Sequence, residues 1–305
     1  MDNITHNQGE KWSVKKKMVE TNTQRMASNL LQPINAVFQI VDIHHLTRAV
    51  NYRRRSPIPF EQVLHYELTN VKFAGKSLYR ADKPTAFSQR TVENVLKDGR
   101  INWFKLTCGF LKRLLINAGF IADNRFKLAF VLDDTLMPRP QGKKTELLAN
   151  GYDHDSGQYK RSFRGLTLGL SDGQSFFPVG SALMSSKSVK NRVGAPAKTV
   201  DQRSNAGRRR VQAMKPMNVV AVELLQQALA CGLHAGLVLF DSWFGSPKMF
   251  RQLTEMGLAG LGMVKRTKKV YYRYRQKLRS VKGIYETLRR THHHTYDHYL
   301  YSVQV

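Results

Sequence analysis

The stretch FVLDDTLMPRPQGKK, residues 130–144, decides the fold because an apolar run ends there on two adjacent aspartates. Together with the residues before it, FKLAFVLDD is a strongly apolar run that favours a β-strand. The chain has 305 residues and a formal net charge of +27, so two carboxylates at the tip of a buried strand are unexpected. We therefore predict that this strand belongs to a sheet and that Asp133 and Asp134 mark a functional edge of it.

The segments that follow predict the rest of the sheet. GLTLGLSDGQSFFPVGSALM contains two strands joined at Asp172 and Gly173, a pair typical of a type I′ hairpin turn. NVVAVELLQQALACG predicts a helix with Asn218 as its N-cap, followed by the strand LVLFD. Ser246 and Pro247 begin another helix that ends at Gly257, and LAGLGMVK follows as a strand. This order predicts an α/β fold, a ribonuclease-H-like mixed sheet with helices on both faces.

The N-terminal part has a different pattern, which predicts a helical domain. In INWFKLTCGFLKRLLINAGF the apolar residues recur at three- and four-residue steps, and Ser88 can cap a shorter helix before it. We predict four regions: a disordered leader at 1–25, a helical DNA-binding domain at 26–125, the catalytic core at 126–265 and an incomplete β-rich insertion at 266–305. A basic segment at 186–217 is expected to be an exposed loop, and YLYSVQV a further strand.

The composition restricts the class of protein. Lys and Arg number 49 against 22 Asp and Glu, and such an excess favours binding to a polyanion, of which nucleic acid is the first candidate. No apolar run reaches the roughly 18 residues needed to span a bilayer, so we expect a cytoplasmic protein without a membrane partner. Cys108 and Cys231 lack the spacing of a metal site and are expected to be buried free thiols.

The acids give the sharpest functional hypothesis. Asp241 follows the strand LVLF as Asp133 and Asp134 follow theirs, and ligand sites in open α/β sheets lie beyond the carboxyl ends of strands. Carboxylates that converge there favour Mg²⁺ or Mn²⁺, which in pairs promote phosphodiester cleavage. Side chains alternate between faces, so only one residue of the adjacent pair can share a metal with Asp241. An aspartate in this position also commonly caps the next turn, an alternative that stays open for Asp241 alone.

Three stretches resemble the DDE transposases of bacterial insertion sequences, specifically the insertion-sequence-four group: LDDTLMPRPQGKKTELLANGYDH, YKRSFRGLTLGLSDGQSFFPVGSALM and LVLFDSWFGSP. The resemblance implies a ribonuclease-H-like core, with Asp134 before Thr135 as the first catalytic acid and Asp241 as the second. It also implies two Mg²⁺ or Mn²⁺ ions, held in part by these acids. The implied activity is cleavage and strand transfer in DNA transposition, on double-stranded transposon ends and target DNA, by a dimer on DNA.

The third acid of that family is not found in this sequence. Where the family's signature places a Glu, after Tyr272 and Arg275, this chain has Arg279; Glu255 and Glu286 are the glutamates that follow Asp241. We therefore expect a C-terminally truncated transposase that binds DNA but does not cut it. Two other functions stay open, a non-catalytic remnant whose role is to occupy transposon ends, and an unrelated metal nuclease on the same fold.

Basic residues near the acids and in the basic segment are candidates for phosphate binding, with a solvated surface as the alternative. The candidates are Lys143, Lys144, Lys160, Arg161, Arg164, Arg208, Arg209 and Arg210.

Overall fold

The computed structural model describes residues 32–50, 56–119, 128–153, 155–195, 201–264, 267 and 269–291. The chain divides into two compact units, one of residues 1–120 with 204–206 and one of residues 121–203 with 207–305. The predicted leader and the strand predicted at YLYSVQV lie outside the described residues.

The described part of the first unit is helical and has its own apolar core. The helix predicted from INWFKLTCGFLKRLLINAGF runs over Trp103–Asn117, with the Asn102 side chain accepting from the Lys105 amide as its cap. Val41, Val63, Val92 and other apolar residues from every helix meet in the core. The helices are α1 (32–41), α2 (Ile43–Ala49), α3 (Phe60–Tyr66, continuing as a π-helical turn over Glu67–Lys72), α4 (Gln89–Leu96) and α5 (Trp103–Asn117).

The second unit contains a six-stranded mixed sheet. The central strand β1 pairs antiparallel with β3 and parallel with β5, β5 pairs parallel with β6, and both β2 and β4 pair with β3. The predicted mixed sheet with helices is confirmed, and its strand order is consistent with a ribonuclease-H-like fold. The strands are β1 (Ala129–Pro138), β2 (Ala149–Asp153), β3 (Gln158–Ser171), β4 (Phe176–Met184), β5 (Leu237–Phe240) and β6 (Ala259–Gly262).

Four helices belong wholly or largely to this unit, with a small hairpin beyond the sheet. The helix predicted to begin at Ser246 is confirmed: the Ser246 hydroxyl accepts from the Met249 amide, and the chain leaves the helix at Gly257 with φ +73°. The hairpin of β7 (Tyr272–Tyr274) and β8 (Lys277–Arg279) packs against the last helix. The helices are α6 (Asn205–Gln212), α7 (Met217–Ala230), α8 (Pro247–Glu255) and α9 (Val281–Thr291).

One face of the sheet forms the main core of this unit. Leu132 of β1, Leu168 of β3 and Phe240 of β5 lie on it, and all three are buried. Phe240 contacts Phe250 of α8 at a ring-centroid distance of 5.5 Å, and α7 contacts both α8 and the strands β3 and β4. Helices were predicted on both faces of the sheet. Instead, α7, which precedes β5, and α8, which connects β5 to β6, both lie on this face.

Five local features differ from the prediction. The loop after β3 has four residues, 172–175, because the Asp172 carboxylate accepts from the amides of Gln174 and Ser175 and holds a wider turn. Pro216 rather than Asn218 precedes α7. The basic segment contains the helix α6, and β2 forms where no strand was predicted. Cys108 is buried as expected, but Cys231 is only partly buried.

Candidate active site

The two adjacent aspartates lie in the middle of β1 rather than at its tip. β1 continues to Pro138 because β3 pairs with it over its whole length, from Ala129 opposite Ser171 to Pro138 opposite Ser162. β5, in contrast, ends at Phe240, which is paired with Leu132. β1 and β3 therefore extend beyond β5 as a two-stranded ribbon, and both aspartates lie where this ribbon leaves the parallel part of the sheet.

Asp241 reaches the same edge from the neighbouring strand. Asp241 follows Phe240 by one residue, while Asp133 and Asp134 follow Leu132 by one and two. Because neighbouring strands lie about 4.8 Å apart, the three backbone positions are close in space. The structure therefore brings the predicted acids to one edge of the sheet.

Their side chains have different surroundings. Asp133 is exposed, whereas the side chain of Asp134 lies on the Leu132 face and is only 16% exposed. Strand alternation sets this difference, as the sequence predicted. Asp241 lies outside β5, so alternation does not fix its direction; its Oδ1 accepts from the Trp243 amide at 2.9 Å. This is the turn-capping contact that the sequence left open for Asp241.

A basic residue already contacts the proposed first acid. Nη1 of Arg164 lies 3.3 Å from Oδ2 of Asp134, and Nη2 of Arg164 donates to the Tyr152 carbonyl at 2.9 Å. Leu136 of β1 is opposite Arg164, and Asp134 is two residues from Leu136, so the ion pair is a diagonal contact across the β1–β3 ladder. Arg164 was predicted to bind phosphate, and its contact with Asp134 was not predicted because the contact depends on strand register.

A divalent cation such as Mg²⁺ prefers carboxylate oxygens as ligands, so the side chains of Asp134 and Asp241 are of the right chemical type to bind one. Among the residues that the structure describes, no three His, Cys, Asp or Glu side chains group as metal ligands. Glu255 is exposed at the end of α8, the helix that begins after Asp241, and about 12 Å of helix separates Glu255 from the start of α8. Glu286 lies on α9, 3.6 Å from Lys282.

The eight basic candidates separate into two sets. Lys160 pairs with Asp153 at 2.7 Å, and Nε of Arg210 donates to both carboxylate oxygens of Glu146 at 2.8 and 3.0 Å. Burial lowers the pKa of Arg209. Arg164 and Arg209 belong to the same set, because each donates a hydrogen bond to a backbone carbonyl. The other set is exposed and contacts no carboxylate in the described part of the chain: Lys143, Lys144, Arg161 and Arg208.

Two exposed aromatic features lie near this edge. Trp243 is 42% exposed in the turn after Asp241, although an aromatic side chain of this size commonly packs in a core. Tyr152 of β2 and Tyr159 of β3 form an edge-to-face pair with a centroid distance of 5.2 Å on the hairpin beside Arg164. The alternation of tyrosine with polar residues was a possible signal for this pair, but β2 itself was not predicted.

A mixed sheet with this strand order, in which the acids directly follow the parallel pairing of β1 with β5, is consistent with the ribonuclease-H-like fold of DDE enzymes. The family model described as DDE superfamily endonuclease matches residues 73–300, and the chain belongs to this family. The finer assignment to the insertion-sequence-four group stays a prediction.

Comparison with solved structures found a likeness to the piggyBac transposase in a cryo-EM synaptic complex with hairpin DNA. The identity is 11% and the TM-score 0.29, over 76% of this chain and 42% of that one. The chain thus spans less than half the length of that transposase. Comparison with curated proteins found no match. No helix in the described ranges is both long and apolar enough to cross a membrane.

Proposed function

We propose that this DDE superfamily endonuclease acts in DNA transposition, cutting DNA at the ends of a mobile element with a divalent metal ion held by Asp134 and Asp241. The observation that carries the proposal is the convergence of these two residues at one edge of the sheet, from neighbouring parallel strands. Family membership supports the endonuclease activity, and DNA as the substrate is inferred from the charge of +27. An insertion sequence as the element, and a dimer on DNA, remain predictions.

The metal would be Mg²⁺ or Mn²⁺, and it would lower the pKa of a water molecule and stabilise charge on the leaving oxygen of a phosphodiester. The residues of the chain have separate parts in this scheme. Asp134 is the less exposed acid and lies on the packed side of β1, where a fixed position is expected of a metal ligand. Asp241 is exposed in a turn, where it can approach a ligand by releasing the Trp243 amide.

The exposed cations would bind the phosphates of DNA around the acids. Lys143 and Lys144 lie in the loop after β1, and Arg161 lies on β3 three residues from Arg164. Because no carboxylate among the described residues neutralises these cations, they can replace the counterions of a DNA backbone. Lys160 and Arg210, which already have carboxylate partners, are less suited to this role.

DNA binding without cleavage, which the lack of the family's third acid in the sequence predicted, is the second candidate. It is favoured by the contact between Arg164 and Asp134, because a metal ion would have to displace the guanidinium before it could bind this carboxylate. In this case the acids would have a structural role, and Asp241 would serve as the cap of its turn.

Plasmid cleavage tests the proposal. The protein is incubated with supercoiled plasmid in Mg²⁺ or Mn²⁺, beside the Asp134→Ala and Asp241→Ala variants and an Asp133→Ala control. Cleavage that both variants lose and the control keeps supports the proposal. Cleavage that survives in both variants contradicts it, and silence in all four proteins, with DNA binding intact, supports the second candidate.

A further inference from the structure

The hairpin of β2 and β3 carries two exposed tyrosine rings, which have no part in the proposed cleavage site, beside the exposed cation of Arg161. Tyr152 and Tyr159 are directly opposite each other in the ladder, 39% and 73% exposed. Asn150 and Arg161 are the next pair on the same face, and both are exposed. These four residues form what we call the tyrosine face.

The opposite face of the hairpin is packed, so the tyrosine face is the outward one. Ser162 is buried there, and a Cβ atom on Gly151 would lie 2.8 Å from Ser162 Oγ and 3.1 Å from Leu136 Cδ1. Asp153 and Lys160 also lie on that side and neutralise each other at 2.7 Å. The acid of the hairpin strands therefore does not offset the charge of Arg161.

The tyrosine face combines the two groups that recognise unpaired nucleotides. An exposed aromatic ring can stack on any base, and nearby cations follow the phosphates. Nη1 of Arg161 donates to the Gly142 carbonyl at 3.4 Å, and Gly142 directly precedes the exposed Lys143 and Lys144 in the chain. A duplex offers phosphates to such cations but keeps the faces of its bases stacked, so the rings favour a strand whose bases are unpaired.

The tyrosine face is also linked to the candidate active site. The Tyr152 carbonyl accepts from Nη2 of Arg164, and Nη1 of the same guanidinium contacts Asp134. One side chain therefore joins the backbone of the hairpin to the proposed first acid. This link runs through the backbone of Tyr152 only, because Tyr159 lies seven residues along β3 from Leu166, the partner of Asp134, and on the other side of the ladder.

We propose that Tyr159 and Tyr152 stack an unpaired base of single-stranded DNA, with Arg161 binding the adjacent phosphate. This inference goes beyond the proposed cleavage activity, because stacking needs neither Asp134 nor Asp241. The occupant is single-stranded DNA rather than a second copy of the chain, since the exposed cations around the rings would repel the same face of another copy. β2 is an edge strand, so pairing between copies is an outcome that the experiment must detect.

The test measures affinity for a fluorescein-labelled 20-nucleotide DNA, its duplex and an RNA of the same sequence by fluorescence anisotropy, with EDTA present. Tyr159→Ala should weaken binding to the single-stranded DNA by roughly 5- to 100-fold. It should change binding to the duplex less than about 2-fold. Tyr159→Phe should keep the parent affinity because it keeps the ring, and Tyr159→Leu should behave as Tyr159→Ala does.

Phe176→Ala is the matched control, because it removes a 51% exposed ring from β4 near the other end of β3. A DNA strand with 2-aminopurine should lose fluorescence on binding the parent protein and keep it with Tyr159→Ala. Equal losses on duplex and single strand, tighter binding of RNA, or unchanged affinity in Tyr159→Ala would each overturn the proposal. So would a change from dimer to monomer in Tyr159→Ala, seen by analytical ultracentrifugation. The assay is independent of cleavage, so an inactive chain still tests it.

Discussion

Arg164 contacts Asp134 through one nitrogen and the Tyr152 carbonyl through another, at 3.3 and 2.9 Å. The ion pair is mostly shielded from water, with 23% of the arginine side chain and 16% of the aspartate side chain exposed. A guanidinium and a metal ion would compete for the same carboxylate. Arg164 therefore connects the carboxylate of Asp134, the proposed metal ligand, to the β2–β3 hairpin that contains Tyr152.

Removing this competitor should strengthen metal binding. Arg164→Gln should raise the affinity for Mn²⁺ by about tenfold, since an ion pair with restricted access to water is stronger than an exposed one. The measurement is a Mn²⁺ titration followed by electron paramagnetic resonance. Arg161→Gln is the control, because that guanidinium reaches a backbone carbonyl and no carboxylate. A lower affinity in Arg164→Gln would show instead that Arg164 positions the carboxylate for the ion.

DNA binding should weaken steeply with salt. With roughly 6 to 10 phosphate contacts, affinity should fall about 10³- to 10⁵-fold between 50 and 200 mM salt. Changing both Lys143 and Lys144 to Gln should reduce the slope of log affinity against log salt by about 2. Lys215→Gln should leave the slope unchanged, because Lys215 already pairs with Glu223. An affinity independent of salt would contradict the electrostatic account.

The hairpin should respond to acid through Asp153. Hydrogen bonds from Lys160 and Ser156 are the main causes that lower the pKa of Asp153 to about 2. This pKa is below the ordinary value of about 3.9, so the ionised carboxylate stabilises the folded hairpin above about pH 4. That contribution is lost as the pH falls from about 4 through 2.

A carbon-detected NMR titration of the Asp153 carboxyl group checks this. The midpoint should lie at about 2 in the parent protein and rise toward about 4 in Lys160→Gln. A midpoint of about 4 in both proteins would mean that the contact with Lys160 does not persist in solution.

The stability of the second unit should depend on the buried face of its sheet. Leu168 is fully buried on β3, and Leu168→Ala should lower the free energy of unfolding by about 2 to 5 kcal/mol. Leu261→Ala on β6 should change it by less than about 0.5 kcal/mol, because Leu261 is 60% exposed on the other side of the sheet. Urea unfolding curves measure both, and equal losses would contradict the assignment of the core to one face.

Local patterns in the sequence predicted much of this sheet. β5 and α8 follow from an apolar run and from a capping serine before a proline, and both begin close to where they were predicted. These elements depend on neighbours in the sequence. The acids were expected at one edge of the sheet because each follows an apolar run.

Long-range pairing accounts for what the sequence did not predict. β1 continues past Asp134 because the 14-residue strand β3 pairs with it, although TLMP has no strand pattern of its own. Pairing with the same strand, β3, also stabilises β2, whose sequence ANGYD lacks a strand signal. The contact between Arg164 and Asp134 depends on the register of two strands that are about 30 residues apart in sequence, which local patterns do not contain.

The central claim is that Asp134 and Asp241 bind one divalent ion, whereas Asp133, the neighbour of Asp134 on β1, does not bind it. Isothermal titration with Mn²⁺ on the parent, Asp134→Asn, Asp241→Asn and Asp133→Asn proteins tests it most directly. We predict weak binding in the parent, a loss of at least about tenfold in Asp134→Asn and in Asp241→Asn, and parent affinity in Asp133→Asn. Parent affinity in Asp134→Asn together with a loss in Asp133→Asn would contradict the account, and would assign the site to the exposed residue that is level with Asp241.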